Sequence, residues 1–159
     1  MKKISAFLII VFSFYFLFAQ SKKEIRKLKI KSIAVTETSH SKTNNESKTV
    51  YDKNGEIVEE TEYSKDGIIK AIRKYKHNKD GNVVEEIEYD GKNQVIEKKE
   101  IKYNALGEKN EELFYNESLK LIKKNTIAYN NKGLKIEKKT FDAANKLISV
   151  KKYQYTYQN

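Results

Sequence analysis

Short apolar segments alternate with clusters of polar turn formers along most of the chain. From position 51 onward, segments of about eight to nine residues rich in Ile, Val, Thr and Tyr lie between groups of Asn, Asp, Ser and Gly, as is typical of β-strands. The pattern predicts an all-β fold after an N-terminal signal peptide: an antiparallel β-meander of about ten strands. A sheet of that size twists strongly, so we expect it to be open or curled.

The strand-and-turn pattern recurs with a period of 26 residues. Four columns keep that spacing without a gap: the glycines Gly55, Gly81, Gly107 and Gly133, the mainly aromatic column Tyr51, His77, Tyr103, Tyr129 and Tyr155, the aromatic residues Tyr63, Tyr89, Tyr115 and Phe141, and the glutamates Glu59, Glu85, Glu111 and Glu137. Self-similarity at one fixed period identifies a repeat architecture. The region 51–159 is therefore interpreted as four β-hairpin repeats, which begin at positions 51, 77, 103 and 129, and a terminal strand.

Each repeat contains two turns, in which an aromatic residue is followed four positions later by a turn former. In the first turn that residue is glycine in every repeat, at Gly55, Gly81, Gly107 and Gly133. In the second turn the position holds Gly67, Asn93, Leu119 and Asn145. Gly and Asn tolerate the left-handed backbone that a hairpin bulge needs, whereas Leu119 departs from that rule. The aspartates of these turns are interpreted as turn formers and not as a cation site.

The length of the loops predicts the register of the hairpins. A three-residue loop that ends in the bulge glycine pairs odd positions with odd positions. It places Glu59 opposite Arg73, Glu85 opposite Lys99, Glu111 opposite Asn125 and Glu137 opposite Lys151. Because 26 is even, each repeat presents the same columns on the same face, and one odd-numbered face collects the tyrosines. The residues of that face predicted to contact a ligand are Tyr63, Tyr89, Tyr103, Tyr115 and Tyr129.

The first 50 residues divide into an export signal, 1–19, and a strand pair, 20–50. Lys2 and Lys3 precede an apolar run that ends at Ala19, which predicts a secretory signal peptide cleaved after Ala19. An uncleaved anchor is the alternative, although about 16 residues is short of the roughly 20 that span a bilayer. Within 20–50 we expect a strand over 28–38, a polar loop over 39–47 and the start of a second strand. The expected location is the periplasm, cell surface or medium of a bacterium, with no membrane span after cleavage.

Composition narrows the function classes. The chain has no Cys, Pro or Trp, so a disulfide scaffold, a thiolate metal site and a cysteine nucleophile are excluded. The formal net charge of +10 falls to +8 without Lys2 and Lys3, and much of that surplus is lysine interleaved with glutamate. We interpret this surface as a solvated sheet and expect no nucleic-acid partner. The basic residues other than Arg26 and Arg73 are Lys, whereas Arg is the favoured reader of phosphate and bases.

The sequence predicts neither an enzyme nor a metal or cofactor site. His40 lies in the predicted polar loop and His77 in an aromatic column of the repeat, and nothing in their positions brings them together for a triad or a metal site. The glutamates of the repeat recur in each unit and mostly face a predicted cation. Such repetition favours a structural role, because a catalytic carboxylate is needed once.

Three of the first turns share one motif, which reads Tyr51-Asp52-x-x-Gly55, Tyr103-Asn104-Ala105-Leu106-Gly107 and Tyr129-Asn130-Asn131-Lys132-Gly133. This motif resembles the YD repeats of the Rhs family. The resemblance spans 51–157 and implies a strand-rich repeat protein of the bacterial cell surface or envelope, a class often described as carbohydrate-binding. The Arg that commonly follows the family's glycine is replaced by Glu56, Asn82, Glu108 and Leu134. The resemblance therefore implies an architecture and no catalytic residue.

Two functions are compatible with these observations. The first is a non-enzymatic structural or protein-interaction element of the envelope, in which the tyrosines support the sheet by cross-strand packing. The alternative is a carbohydrate-binding module, in which the tyrosine-bearing face stacks on sugar rings. The partner is accordingly an envelope protein or a glycan, and the oligomeric state is open.

Overall fold

The computed structural model describes residues 21–39 and 41–158, so the predicted signal peptide and His40 lie outside the described residues. A short helix, α1 (Lys22–Lys27), precedes the strands β1 (Ser32–Ser39), β2 (Lys42–Tyr51), β3 (Ile57–Tyr63), β4 (Ile69–His77), β5 (Val83–Asp90), β6 (Val95–Tyr103), β7 (Lys109–Tyr115), β8 (Leu121–Tyr129), β9 (Lys135–Asp142) and β10 (Leu147–Lys152). The strands pair in chain order, each antiparallel to the next. Among the described residues, β1 and β10 form the two edges of one open sheet. The predicted all-β meander is confirmed.

Each of the eight turns from Asp52 to Asn145 is closed by the same hydrogen bonds. The first residue of the turn is Asp, Asn or Ser, and its side-chain oxygen accepts from the backbone N–H four positions later. Its carbonyl accepts from the N–H of the fourth residue at 2.9–3.1 Å. That fourth residue is left-handed throughout, with φ between 56° at Leu119 and 81° at Gly81. Each turn thus satisfies its polar groups locally.

The predicted register is wrong by one residue because every hairpin contains a β-bulge. In the β3–β4 hairpin Tyr63 faces Ile69, but Glu62 already faces Ala71, so one extra residue lies in β4. Beyond the bulge, odd positions face even ones: Glu59 faces Lys74 and not Arg73. The same correction replaces the other three predicted pairs. Glu85 faces Glu100 in place of Lys99, Glu111 faces Thr126 in place of Asn125, and Glu137 faces Lys152 in place of Lys151.

The bulges also divide the tyrosines between the two faces. We define the covered face as the one that carries Glu60, Arg73, Glu86, Lys99, Glu112 and Asn125, and the aromatic face as the one that carries Tyr63, Tyr89, Tyr115 and Phe141. By strand alternation Tyr103 and Tyr129 lie on the covered face, two positions after Ile101 and Ile127. The predicted single tyrosine face is therefore wrong.

Burial is concentrated on the covered face. The buried side chains there are Ala71, Ile101, Glu112, Asn125 and Ile127, and one further residue, Thr61, is buried on the aromatic face. Because the described strands form one layer, these side chains are covered by their neighbours on the same face. The core is thus a thin stripe of apolar and paired polar groups, in keeping with a sequence that is 38% hydrophobic.

Helix α1 was not predicted. Ser21 caps it: its hydroxyl accepts from the Glu24 N–H, and the Glu24 carboxylate accepts from the Ser21 N–H. Ile25 is 2% exposed, the most buried apolar residue described, and lines the same hollow as Tyr51 and Gly55, while the backbone of Lys22 and Arg26 lies against Gly55. The helix therefore covers the end of the sheet at the turn between β2 and β3.

The N-terminal strands differ from the expected boundaries. Strand β1 begins at Ser32 and β2 at Lys42, so most of the predicted polar loop over 39–47 belongs to β2. The polar sequence is held as a strand because β2 pairs with β1 and β3 on its two sides. Sheet pairing here overrides residue preference.

Candidate functional site

A row of charged and polar side chains crosses the middle of the covered face from β3 to β9. At its start, Tyr75 donates from its hydroxyl to Glu60 at 2.6 Å. Next to it, Arg73 Nη2 lies 3.2 Å from Glu88 Oε1, and Lys99 pairs with Glu86. Burial and the hydrogen bond to Glu60 both raise the pKa of Tyr75, which keeps its phenol protonated and donating.

Glu112 is the most buried carboxylate of this row, at 8% exposure. Lys109 Nζ and Asn125 Nδ2 donate to it at 2.8 and 2.9 Å, and Lys138 Nζ lies 3.2 Å away. Asn125 in turn accepts from the Thr140 hydroxyl at 2.9 Å. Burial alone would raise the pKa of Glu112, but the two hydrogen bonds and the nearby cations lower it to about 2. The carboxylate is therefore charged and fully engaged within the chain.

Tyr103 and Tyr129 are used by the fold itself. The Tyr103 hydroxyl donates to the Val83 carbonyl at 2.9 Å, and the Tyr129 hydroxyl donates to the Lys109 carbonyl at 2.8 Å. Tyr155 makes the equivalent bond to Lys135 at 2.7 Å. Each bond joins a tyrosine to the residue 20 positions earlier, at the start of an odd-numbered strand. The tyrosine column could be predicted from the sequence, but this bond could not, because its acceptor is a backbone carbonyl that every residue type possesses.

The aromatic face carries the remaining predicted ligand residues in a row. Tyr63, Tyr89 and Tyr115 lie on alternate strands, which places successive rings about 9–10 Å apart. Lys74 Nζ lies 5.3 Å from the Tyr89 ring centroid, and Lys98 Nζ lies 5.8 Å from that of Tyr115. The Tyr115 hydroxyl also donates to Glu100 at 3.0 Å. All three rings are half-buried, and those of Tyr89 and Tyr115 already contact lysines of their own chain.

The six residues predicted to form cross-strand pairs have other partners. Glu59 lies 3.7 Å from Lys74, Glu85 lies 2.7 and 2.9 Å from Lys76 and Lys98, and Glu137 lies 2.7 Å from Lys139. The predicted cations contact different glutamates, Arg73 with Glu88 and Lys99 with Glu86, while Lys151 faces Lys138. Both faces thus keep the predicted mixture of charges with a shifted set of pairs.

A groove of about 550 Å³ lies between α1 and the first-turn edge of the sheet. Lys22, Arg26, Asp52, Glu56 and His77 are among its lining residues. Both cations and carboxylates line it, and Lys22 is paired with Glu56. In the described ranges, no cluster of three or more His, Asp or Glu side chains could hold a metal ion. Across the same ranges, no helix combines the length and apolar character needed to cross a membrane.

No family model and no curated protein matches the sequence. Solved structures to which the chain shows similarity include a protein of unknown function from Bacteroides fragilis, at 15% identity and a TM-score of 0.44, in a match that covers 80% of this chain and 96% of that one. TarM of S. aureus shares 20% identity at a TM-score of 0.34, over 79% of this chain and 22% of its own. A porin-like protein from Bacteroides uniformis shares 14% identity at a TM-score of 0.38, over 70% and 56%.

Proposed function

We propose that the chain is a non-enzymatic, exported repeat protein of the bacterial cell envelope with a structural or protein-interaction role. The observation that supports this proposal is that tyrosine hydroxyls repeatedly bond to the backbone of the same chain. The hydroxyls of Tyr103, Tyr129 and Tyr155 make the same bond to backbone carbonyls at three positions that are 26 residues apart. A side chain that repeats one intramolecular bond serves the stability of the array, because a ligand-binding group must keep its hydrogen bonds available.

The polar row of the covered face supports a role without catalysis. Glu112 is held by Lys109, Asn125 and Lys138, so its carboxylate is a fixed charge and not a group ready to transfer a proton. Its lowered pKa points the same way, because a general acid or base works best with a pKa near the ambient pH.

We also propose that the repeats are related to the YD repeats of the Rhs family. The support is in the turns, where Asp52, Asn104 and Asn130 follow the aromatic residue and cap the loop before a left-handed glycine. This device gives the aromatic-Asp/Asn-x-x-Gly motif a structural reason. Export is proposed from the basic and apolar segment 1–19.

The test has two parts. The intact precursor is expressed in a bacterium and fractionated, and we expect an exported product whose N-terminal residue is Gln20. The purified product is then compared with the Tyr89→Ala/Tyr115→Ala double variant by thermal unfolding. The structural role predicts a lower Tm for the double variant, and an unchanged Tm together with retention in the cytoplasm would refute the proposal.

A carbohydrate-binding role is the second candidate, and the row of Tyr63, Tyr89 and Tyr115 is the observation that favours it. A spacing of about 9–10 Å between half-buried rings on one face suits an extended ligand. This role predicts that the exported protein binds on a glycan array. It also predicts that the Tyr89→Ala/Tyr115→Ala variant loses binding while its fold is retained. Absence of binding by the unmodified protein to every glycan tested would exclude it.

A further inference from the structure

Both lateral edges of the sheet are open within 21–39 and 41–158. Strand β1 pairs with β2 alone and β10 with β9 alone. The Tyr153 N–H donates to Ile136, and the Lys31 carbonyl accepts from Tyr51, so both of these groups point into the sheet. Because the direction alternates along a strand, the backbone groups of Val150 and Lys152 point out of the sheet at one edge, as do those of Ala34 and Thr36 at the other. Each edge is therefore a template for one more strand.

The β10 edge is apolar as well as open. Leu147, Ile148 and Val150 are 48%, 60% and 40% exposed. Among the residues that the structure describes, eight of the 12 exposed large apolar residues lie between Leu119 and Tyr157, so the exposed apolar surface is concentrated in the half of the sheet that ends at β10. An uncovered apolar patch continuous with an open edge is typical of an interaction site.

The two edges have complementary charges. Strand β1 reads Ser-Ile-Ala-Val-Thr-Glu-Thr-Ser, and Glu37 is its one charged residue. Strand β10 ends in Lys151 and Lys152, and all of its residues are exposed. Exposed edges are normally protected by lysine or proline, but β1 has neither. A neutral to acidic edge and a basic edge on one molecule fit each other better than either fits itself, since two β10 edges would bring four lysines together.

We propose that the outer edge of β10 pairs with the outer edge of β1 in a second copy of the chain. The pairing is antiparallel, so it continues the up-and-down order of the meander across the junction. Two constraints fix the parity of the register. First, the outward-pointing N–H and C=O groups of the two strands must meet, which places Lys152 opposite an even-numbered residue of β1. Second, side chains that lie opposite each other must be on the same face of the extended sheet. Lys151 and Glu37 satisfy both, because Lys151 shares the covered face with Lys138, and Glu37 shares it with Ile33 and Val35.

In the register with Lys151 opposite Glu37 of the second copy, Lys152 lies opposite Thr36. The Lys151–Glu37 pair then has inward-pointing backbone groups on both strands, the arrangement in which facing side chains are closest. Because one edge of each kind remains free on every dimer, the contact is head-to-tail and can extend to longer assemblies. This proposal deepens the structural role proposed above by naming a partner, and a chain that stays monomeric would overturn it without affecting that role.

The first test uses the absence of cysteine from the chain. The single variants Glu37→Cys and Lys151→Cys are prepared with tags of different mass, mixed and oxidised. We expect a disulfide-linked heterodimer in the mixture and none in either variant alone. The matched control replaces Lys151→Cys by Lys152→Cys, whose side chain lies on the other face and should not link to position 37. Linkage in one variant alone, or equal linkage through position 152, would overturn the proposal.

The second test keeps the edges intact apart from their charges. Association of the exported protein is measured by sedimentation across a concentration series. Glu37→Lys and Lys151→Glu should each weaken association by about 2- to 5-fold, as expected for one cross-strand charge pair. The Glu37→Lys/Lys151→Glu double variant should restore it. A protein that is monomeric throughout the series, or that associates without regard to these charges, would overturn the proposal.

Discussion

Leu119 occupies a backbone conformation that its side chain disfavours. It is the fourth residue of the Asn116–Leu119 turn, with φ of 56°, at a position where the other seven turns have Gly or Asn. Left-handed backbone costs a residue with a side chain about 1–2 kcal/mol, whereas glycine has no such penalty. Its side chain is 56% exposed, so the packing lost on truncation is limited.

The comparison that isolates this strain is between Leu119→Ala and Leu119→Gly. Both variants lose the Leu side chain, and they differ by one methyl group on a left-handed residue. Relief of strain of about 1–2 kcal/mol, less about 0.5–1 kcal/mol for the greater flexibility of glycine in the unfolded chain, leaves Leu119→Gly about 0.5–1 kcal/mol more stable than Leu119→Ala. The sign is the reverse of that for an alanine-to-glycine change inside a strand or helix.

Gly107 provides the reverse substitution as a control, from glycine to alanine at a left-handed turn position. Its φ is 77°, and a Cβ added there would meet no atom within 4 Å. Gly107→Ala should therefore lower stability by about the same net 0.5–1 kcal/mol, because backbone strain outweighs the smaller entropy of the unfolded chain and no steric clash adds to it. Thermal unfolding followed by circular dichroism resolves such differences, since about 1 kcal/mol shifts Tm by about 2–8 °C in domains of this size range. If Leu119→Ala equals or exceeds Leu119→Gly in Tm, the left-handed turn at this position is wrong.

Three further changes test other parts of the structure. Tyr129→Phe removes the hydroxyl that bonds Lys109 and should cost about 1 kcal/mol by urea unfolding, while Tyr157→Phe, on a ring that is 63% exposed, should change little; equal effects would contradict the bond. Gly55→Ala should destabilise more than Gly107→Ala, because its Cβ would lie 2.8 Å from the Lys22 carbonyl of α1; equal losses of Tm would mean that the helix does not pack there. The lowered pKa of Glu112, about 2 when folded against 4.5 when unfolded, stabilises the fold above pH 4.5 and is lost as pH falls toward 2. Urea unfolding at pH 6, 4 and 3 should show a larger loss of stability on acidification, by about 2 kcal/mol between pH 6 and pH 3, in the unmodified protein than in Glu112→Gln, and parallel losses would reject the buried ion pair.

Most of the fold could be predicted from the 26-residue repeat. Gly55, Gly81, Gly107 and Gly133 mark one set of hairpin turns directly, and the strand composition between turns predicts an antiparallel meander. Period and turn type are local properties, so a single sequence contains them. The capping box of α1, with Ser21 and Glu24, was also readable, although a helix of six residues is too short to show apolar periodicity.

The pairing of side chains could not be predicted in the same way. In the hairpins β3–β4, β5–β6, β7–β8 and β9–β10 the extra residues are Lys70, Ile96, Ile122 and Ile148. The three isoleucines are good strand formers. A bulge residue of this kind resembles its neighbours in the strand, so nothing in the sequence shows that it is unpaired. One bulge residue per hairpin shifts the register, so that Arg73 faces Glu60 and not Glu59. The same shift places Tyr103 and Tyr89 on opposite faces of the sheet.

The self-contained turns have a consequence for how such a chain can change in length over evolution. Each turn closes its hydrogen bonds within five residues, from Asp52 to Glu56 in the first and from Asp142 to Lys146 in the last. Duplication or loss of a 26-residue unit would therefore leave every remaining turn complete and every remaining residue on its own face. The width of the sheet would change in steps of two strands, about 9–10 Å each. Such a sheet can serve as a molecular ruler whose length is set by gene duplication, while point substitutions adjust its two edges.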